Sequence, residues 1–171
     1  FHADADPFLI ASRALRCAAS DLAAMGALPL GFTLALTLPA VDENWLGKFS
    51  AGLLQTADLL QCPLIGGDTT RGPLCISIQV HGSVLSGKAM RRNGANIGDD
   101  VWVSGTLGDG AAALALIEKN ITVSQEAENY LLKRFYHPDI DFALGVRLCD
   151  IASSCIDVSD GVLADLGHIC T

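Results

Sequence analysis

Leu64-Ile65-Gly66-Gly67-Asp68-Thr69-Thr70-Arg71-Gly72-Pro73-Leu74-Cys75-Ile76-Ser77-Ile78-Gln79-Val80-His81 holds the change of pattern on which the fold turns. Leu64-Ile65 reads as a short apolar strand running into a Gly66-Gly67-Asp68 turn, and Arg71-Gly72-Pro73 is a second turn signal. From there strict alternation begins. Leu74, Ile76, Ile78 and Val80 fall to one side and Cys75, Ser77, Gln79 and His81 to the other, the period of a half-buried strand. Upstream, Phe32, Leu34, Leu36 and Leu38 alternate with Thr33, Ala35 and Thr37 until Pro39 ends the run. Between these strands Asp42 is placed to cap a helix that carries Trp45, Phe49, Leu53 and Leu60 on one face and stops before Cys62-Pro63. An earlier helix, capped by Asp4 or Asp6 with Pro7 in its first turn, carries Ile10, Ala14, Cys17 and Leu22 and stops at Gly26. The mixture is α+β.

Downstream, the polar, glycine-bearing stretch 91–100 marks a domain boundary, dividing the chain into residues 1–97 and 98–171. Beyond it the pattern predicts a strand at 101–104, a glycine-rich turn at 105–110 and a helix at 111–119. Helical segments near 126–135 and 141–152 follow, then a strand at 155–158 that feeds Ser159-Asp160-Gly161 and a last helix. The turn Gly105-Thr106-Leu107-Gly108-Asp109-Gly110 lacks the Gly-Lys-Ser/Thr ending of a P-loop and the dinucleotide glycine spacing. Its amides could receive an anion at a helix start; close helix–strand packing is the preferred reading. The first residue is Phe1, not methionine, and Thr171 falls inside a helical pattern, so both ends read as cut.

Half of the 171 residues are apolar and 18% are charged, against about a quarter in ordinary globular chains. So little polar material implies surface buried against a twin subunit or further chain. The net charge is −8 and no basic stripe carries interleaved aromatics, which argues against nucleic-acid binding. Cys17, Cys62, Cys75, Cys149, Cys155 and Cys170 form no C-x-x-C pair and mostly sit in apolar runs. They read as buried free thiols in a reducing compartment. His2, His81, His137 and His168 have no metal-ligand spacing, and neither a signal peptide nor an apolar run of membrane-spanning length occurs. A soluble, cytoplasmic protein is expected.

Four aspartates stand among small or apolar neighbours. Asp21 lies in Ala18-Ala19-Ser20-Asp21-Leu22-Ala23-Ala24-Met25-Gly26. A carboxylate in a helix so poor in side chains is either solvated or, if buried, paired or bound to metal. Asp68 follows two glycines at a strand end, where it is either a plain turn residue or a group presented to a ligand. Asp157 and Asp160 flank Val158-Ser159 where a strand turns into a helix. Capping explains one of them and leaves the other acid beside an apolar strand unexplained. Two carboxylates and a hydroxyl this close suit a hard, oxygen-liganded cation. Such a cation would also let an acidic protein hold a phosphate-rich ligand. Arg91 and Arg92, at the domain junction, are either exposed loop residues or a fork for phosphate.

Ser20-Asp21-Leu22-Ala23-Ala24-Met25-Gly26-Ala27, the stretch from Leu64 to Gly72, and Ile156-Asp157-Val158-Ser159-Asp160-Gly161 resemble, in order, three signatures of the thiamine-monophosphate kinase family. The resemblance covers essentially the whole chain. The acid-containing signatures are shared loosely with the wider aminoimidazole-ribotide-synthetase-like superfamily. It implies a two-domain α+β fold of that kind, with the N-terminal domain mostly present and the second truncated, and a homodimer paired through N-terminal domains. It further implies ATP as co-substrate, several Mg²⁺ ions, and conversion of thiamine monophosphate to thiamine diphosphate. Carried over by motif, Asp21, Asp68, Asp157 and Asp160 are metal ligands. Gly67, Asp68, Arg92 and Ser159 contact nucleotide. Nothing is carried over to Arg91, Thr69 or the histidines. Family motifs that precede Phe1 and follow Thr171 are missing, so this stretch alone is expected to be inactive. The rivals are another synthetase of the superfamily and a non-catalytic dimerisation module.

Overall fold

A computed structural model of the chain describes residues 5–170. Asp4, the alternative cap, and His2 lie outside them, as do Phe1 and Thr171. Asp6 caps the first helix, α1 (Pro7–Ala24), by accepting the Phe8 N–H at 3.1 Å. Its core face is Ala11, Leu15, Ala19 and Leu22, at helical spacing. The expected Ala14 and Cys17 do not belong to that face, and Cys17 is exposed. Asp42 caps α2 (Glu43–Leu60) through the N–H groups of Asn44 at 2.9 Å and Trp45 at 3.1 Å. Such a cap is worth about 1 kcal/mol. Phe49, Leu53, Ala57 and Leu60 are buried along this helix, and Trp45 stacks on Phe49 with ring centroids 4.9 Å apart.

The sheet has three strands in the order β2-β1-β3: β1 (Leu28–Leu38), β2 (Leu64–Arg71) and β3 (Cys75–Ser83). β1 and β2 run parallel, joined through α2, while β3 returns antiparallel beside β1 with Leu34 opposite Ile78 and Leu36 opposite Ile76. Phe32, Leu36 and Leu38 are buried beneath α1 and α2, and the alternating set Leu74, Ile76, Ile78 and Val80 packs against the same core. β2 extends beyond expectation. Its ladder runs through Gly66-Gly67-Asp68 to Arg71, so these residues are strand and not turn. Gly67 has φ +147, and a Cβ there would lie 2.0 Å from the Leu34 carbonyl oxygen; the pair of glycines lets β2 approach β1 through an irregular register. All eight residues of β2 are exposed.

After β3 the chain carries α3 (Asp109–Ile117), α4 (Gln125–Tyr136), α5 (Phe142–Leu148) and α6 (Val162–Ile169). The strands expected at 101–104 and 155–158 do not form: both stretches are irregular, and Trp102 is 88% exposed. A strand needs a ladder partner for its backbone groups, and neither stretch meets one among the described residues. The glycine-rich turn therefore packs on a helix instead. Asp109 accepts from Thr106 at 2.5 Å, Tyr130 at 2.9 Å and Arg134 at 3.2 Å, tying α3 to α4. These donors, Thr106 foremost, hold the Asp109 carboxyl below its ordinary range. All six cysteines are free, but only Cys62 is buried; Cys17, Cys75 and Cys170 are exposed.

One close crossing sets the position of the C-terminal half. A Cβ on Gly145, within α5, would stand 2.2 Å from the Ala23 carbonyl oxygen, and one on Gly26 would stand 2.1 Å from Cys149 Sγ. Backbone meets backbone there, where α1 ends. Gly145→Ala is accordingly expected to destabilise the protein by about 1–3 kcal/mol through overpacking, read as a lower midpoint in denaturant. An unchanged midpoint would mean that the crossing relaxes freely.

Candidate functional site

The C-terminal turn of α1 is where distant segments converge. Leu22 and Ala19 turn inward to the core, which leaves Asp21 on the opposite face, open to a cavity of about 470 Å³. The Met90 N–H donates to the Met25 carbonyl at 3.2 Å and brings Arg91 and Arg92 beside the helix end. The Arg91 carbonyl in turn accepts from Ser154 Oγ at 3.0 Å and from the Cys155 N–H at 3.3 Å. Those bonds lay the segment that ends in Asp157 along the cavity wall. Lys88 adds an exposed ion pair to Asp150. Ser159 and Asp160 complete the rim where the chain enters α6.

Asp157 lies near enough to Asp21 for its charge to act on that carboxyl. Neighbouring carboxylates repel, and a proton or a cation beside them relieves the repulsion. Partial desolvation, then the charge and the hydrogen bond of Asp157, push the Asp21 carboxyl above its ordinary range. Burial likewise raises the Cys155 thiol, with the Asp157 charge a smaller contribution.

Five of the seven residues expected from sequence, Asp21, Arg92, Asp157, Ser159 and Asp160, therefore line one cavity, although their segments are far apart in the chain. Gly67 and Asp68 do not line it. They stand in β2 opposite Leu34 and Ala35, and Asp68 Oδ1 accepts from the Thr69 N–H at 2.8 Å. Arg91, weighed from the sequence with Arg92 as a phosphate fork but given no role by the resemblance, shares the wall with it. One lining acid was not anticipated. Asp165, in the first turn of α6, is only 3% exposed. Nothing in the sequence distinguishes Asp165 from a solvated acid beside a helix N-terminus.

Residues 1–84 match the family model described as AIR synthase related protein, N-terminal domain. Residues 1–84 thus carry the N-terminal domain of the AIR synthase-related family. Within that family its relatives are thiamine-monophosphate kinases. It is 49% identical to the one from Salmonella typhimurium over 170 residues, which is 99% of this chain and 52% of that protein. The crystal structure of the Stenotrophomonas maltophilia kinase superposes with a TM-score of 0.92 at 45% identity, covering 99% of this chain and 55% of that one. AaThiL complexed with AMPPCP and TMP superposes at 0.89 with 28% identity, covering 97% and 54%. The fold is thus the α+β one expected, and the chain spans about half the length of the curated relatives it matches.

Proposed function

We propose that the protein of which this chain forms a part transfers the γ-phosphoryl group of ATP to thiamine monophosphate, giving ADP and thiamine diphosphate. The observation that carries this reading is the single cavity lined by Asp21, Asp157, Asp160, Ser159 and two arginines, with Asp157 near enough to act on the Asp21 carboxyl. The similarity to AaThiL, whose complex holds AMPPCP and TMP, supports the choice of nucleotide and acceptor.

The donor set fits Mg²⁺. It consists of carboxylate and hydroxyl oxygens, and the Asp21–Asp157 contact calls for a positive charge. Among the described residues no three acids, histidines or cysteines are grouped as a ready-made metal cage. That suits a cation which characteristically takes one or two carboxylates and completes its shell with water and substrate phosphates. Asp21 and Asp157 would hold one such ion, with Asp160 on the same cavity wall and Asp68 in β2 as the further acids that would take part. When bound, Mg²⁺ would offset the charge of the phosphates and align them.

The acceptor is itself a phosphate. With a second pKa of about 6 it is largely ionised near neutrality, so no side chain needs to remove a proton. The chain's task is to position two anions for in-line transfer. Arg92 and Ser159, which line the same cavity, would grip the nucleotide phosphates, with Arg91 also in its lining. Gly67 and Asp68 would join them from β2. The full exposure of β2 and the exposed apolar residues Leu64 and Ile65 support a homodimer or further chain that brings this strand into play. The division into residues 1–97 and 98–171 is supported by the confinement of the sheet to the first part. Among the described residues no helix is long and apolar enough to cross a membrane, and six free thiols suit a reducing cytoplasm.

ATP consumption by the full-length protein should depend on thiamine monophosphate and Mg²⁺ and yield thiamine diphosphate. Turnover stimulated instead by a different acceptor would transfer the site to another reaction of the same family. Mg²⁺–ATP binding unaffected by an Asp21/Asp68 double substitution would leave only a dimerisation module.

A further inference from the structure

The Ser159–Gly161 loop is organised from beneath by one side chain. Asp165 Oδ2 accepts three successive backbone N–H groups, those of Ser159 at 2.9 Å, Asp160 at 3.1 Å and Gly161 at 3.1 Å. It is the one carboxylate buried among the described residues. Three charge-assisted bonds to a single oxygen offset the desolvation of that charge. They also commit the amides in question. Consecutive N–H groups at a helix start ordinarily form a nest for an external anion. Here an internal carboxylate fills that nest, and its negative charge opposes the positive end of α6. What the loop turns toward the cavity is therefore its side chains, Ser159 and Asp160, with Asp157 just upstream.

We propose that Asp165 is a positioning residue that makes the start of α6 receptive to a cation instead of an anion, by consuming the loop amides and fixing Asp157, Ser159 and Asp160 in their cavity-facing arrangement. The proposal rests on the phosphoryl-transfer reading given above and assigns Asp165 no contact with substrate. Partners that orient metal ligands typically change metal affinity about 10–100-fold when lost.

The test uses the full-length protein, titrating Mg²⁺ in the presence of ATP and following binding calorimetrically as well as by turnover. Asp165→Asn keeps the shape but removes the charge. It should weaken Mg²⁺ affinity by about 10–100-fold, partly rescued by excess Mg²⁺, with thiamine monophosphate binding unchanged. Asp157→Asn is measured in parallel. If Asp157→Asn loses Mg²⁺ affinity and Asp165→Asn does not, the positioning role is overturned and the proposed reaction stands. If neither changes it, the reaction reading itself fails. A second measurement does not depend on a folded variant: amide hydrogen exchange resolved by NMR on the wild type. Slow exchange at Ser159, Asp160 and Gly161 without metal is expected. Fast exchange there that slows only when Mg²⁺–ATP is added would show that the ligand organises the loop, and would overturn the proposal.

Discussion

Asp157→Asn in the full-length protein is expected to lower kcat for thiamine monophosphate phosphorylation about 10²–10³-fold, the equivalent of the several kcal/mol that metal-held charge stabilisation supplies. The loss should persist at saturating Mg²⁺. Asp157 lies near enough to act on the Asp21 carboxyl, and an amide in its place keeps the shape while removing half of the charge that a cation would answer. The metal-free protein should melt no lower than wild type, because a like-charge contact disappears with the carboxylate. Near-normal turnover at high Mg²⁺ would remove Asp157 from the site. Asp68→Asn, assayed alongside, reports on the expected ligand that the chain does not bring to the cavity.

Asp21→Asn should separate stability from activity. The folded state raises the Asp21 carboxyl above its unfolded value of about 3.9. Over the pH window between the unfolded and folded values, the folded state binds more protons than the unfolded one. Stability attributable to this group is therefore complete below the unfolded value and lost as pH rises through the folded one. At neutral pH the cost is fully present, and Asp21→Asn removes it. The variant is expected to melt higher than wild type at pH 7, to lose that advantage near pH 3, and to turn over about 10²–10³-fold more slowly for the same charge-stabilisation reason. Thermal scans from pH 3 to 8 without metal, with turnover measured at pH 7, check both halves. A lower melting temperature at pH 7 would contradict the pairing with Asp157.

Much of the fold was legible because its signals are local. Asp6 and Asp42 announce helix starts through bonds spanning two or three residues. The alternation in β1 and β3 survives folding because one face meets the helices and the other does not. The misreadings are non-local. Gly66-Gly67 reads as a turn until β1 is known to lie beside it, and residues 101–104 and 155–158 have strand composition but no ladder partner among the described residues. Whether a run becomes a strand depends on what stands next to it, which no window of sequence contains. In the site, Asp21 and Asp157 were visible as acids stranded among alanines or beside an apolar run. Asp165 was not, because a first-turn acid is ordinary on a helix and its bonds reach backward to amides without side-chain signature.

The α5–α1 crossing at Gly145 has a bearing on how the protein matures. Asp21 leaves the ribosome well before Asp157, so the two acids cannot meet until the segment between them has been made. A nucleotide–metal complex that binds both walls would act as a clasp across nearly the whole length of this chain, favouring the closed state by mass action. The ligands proposed for the cavity would then also guard the newly made protein against reopening.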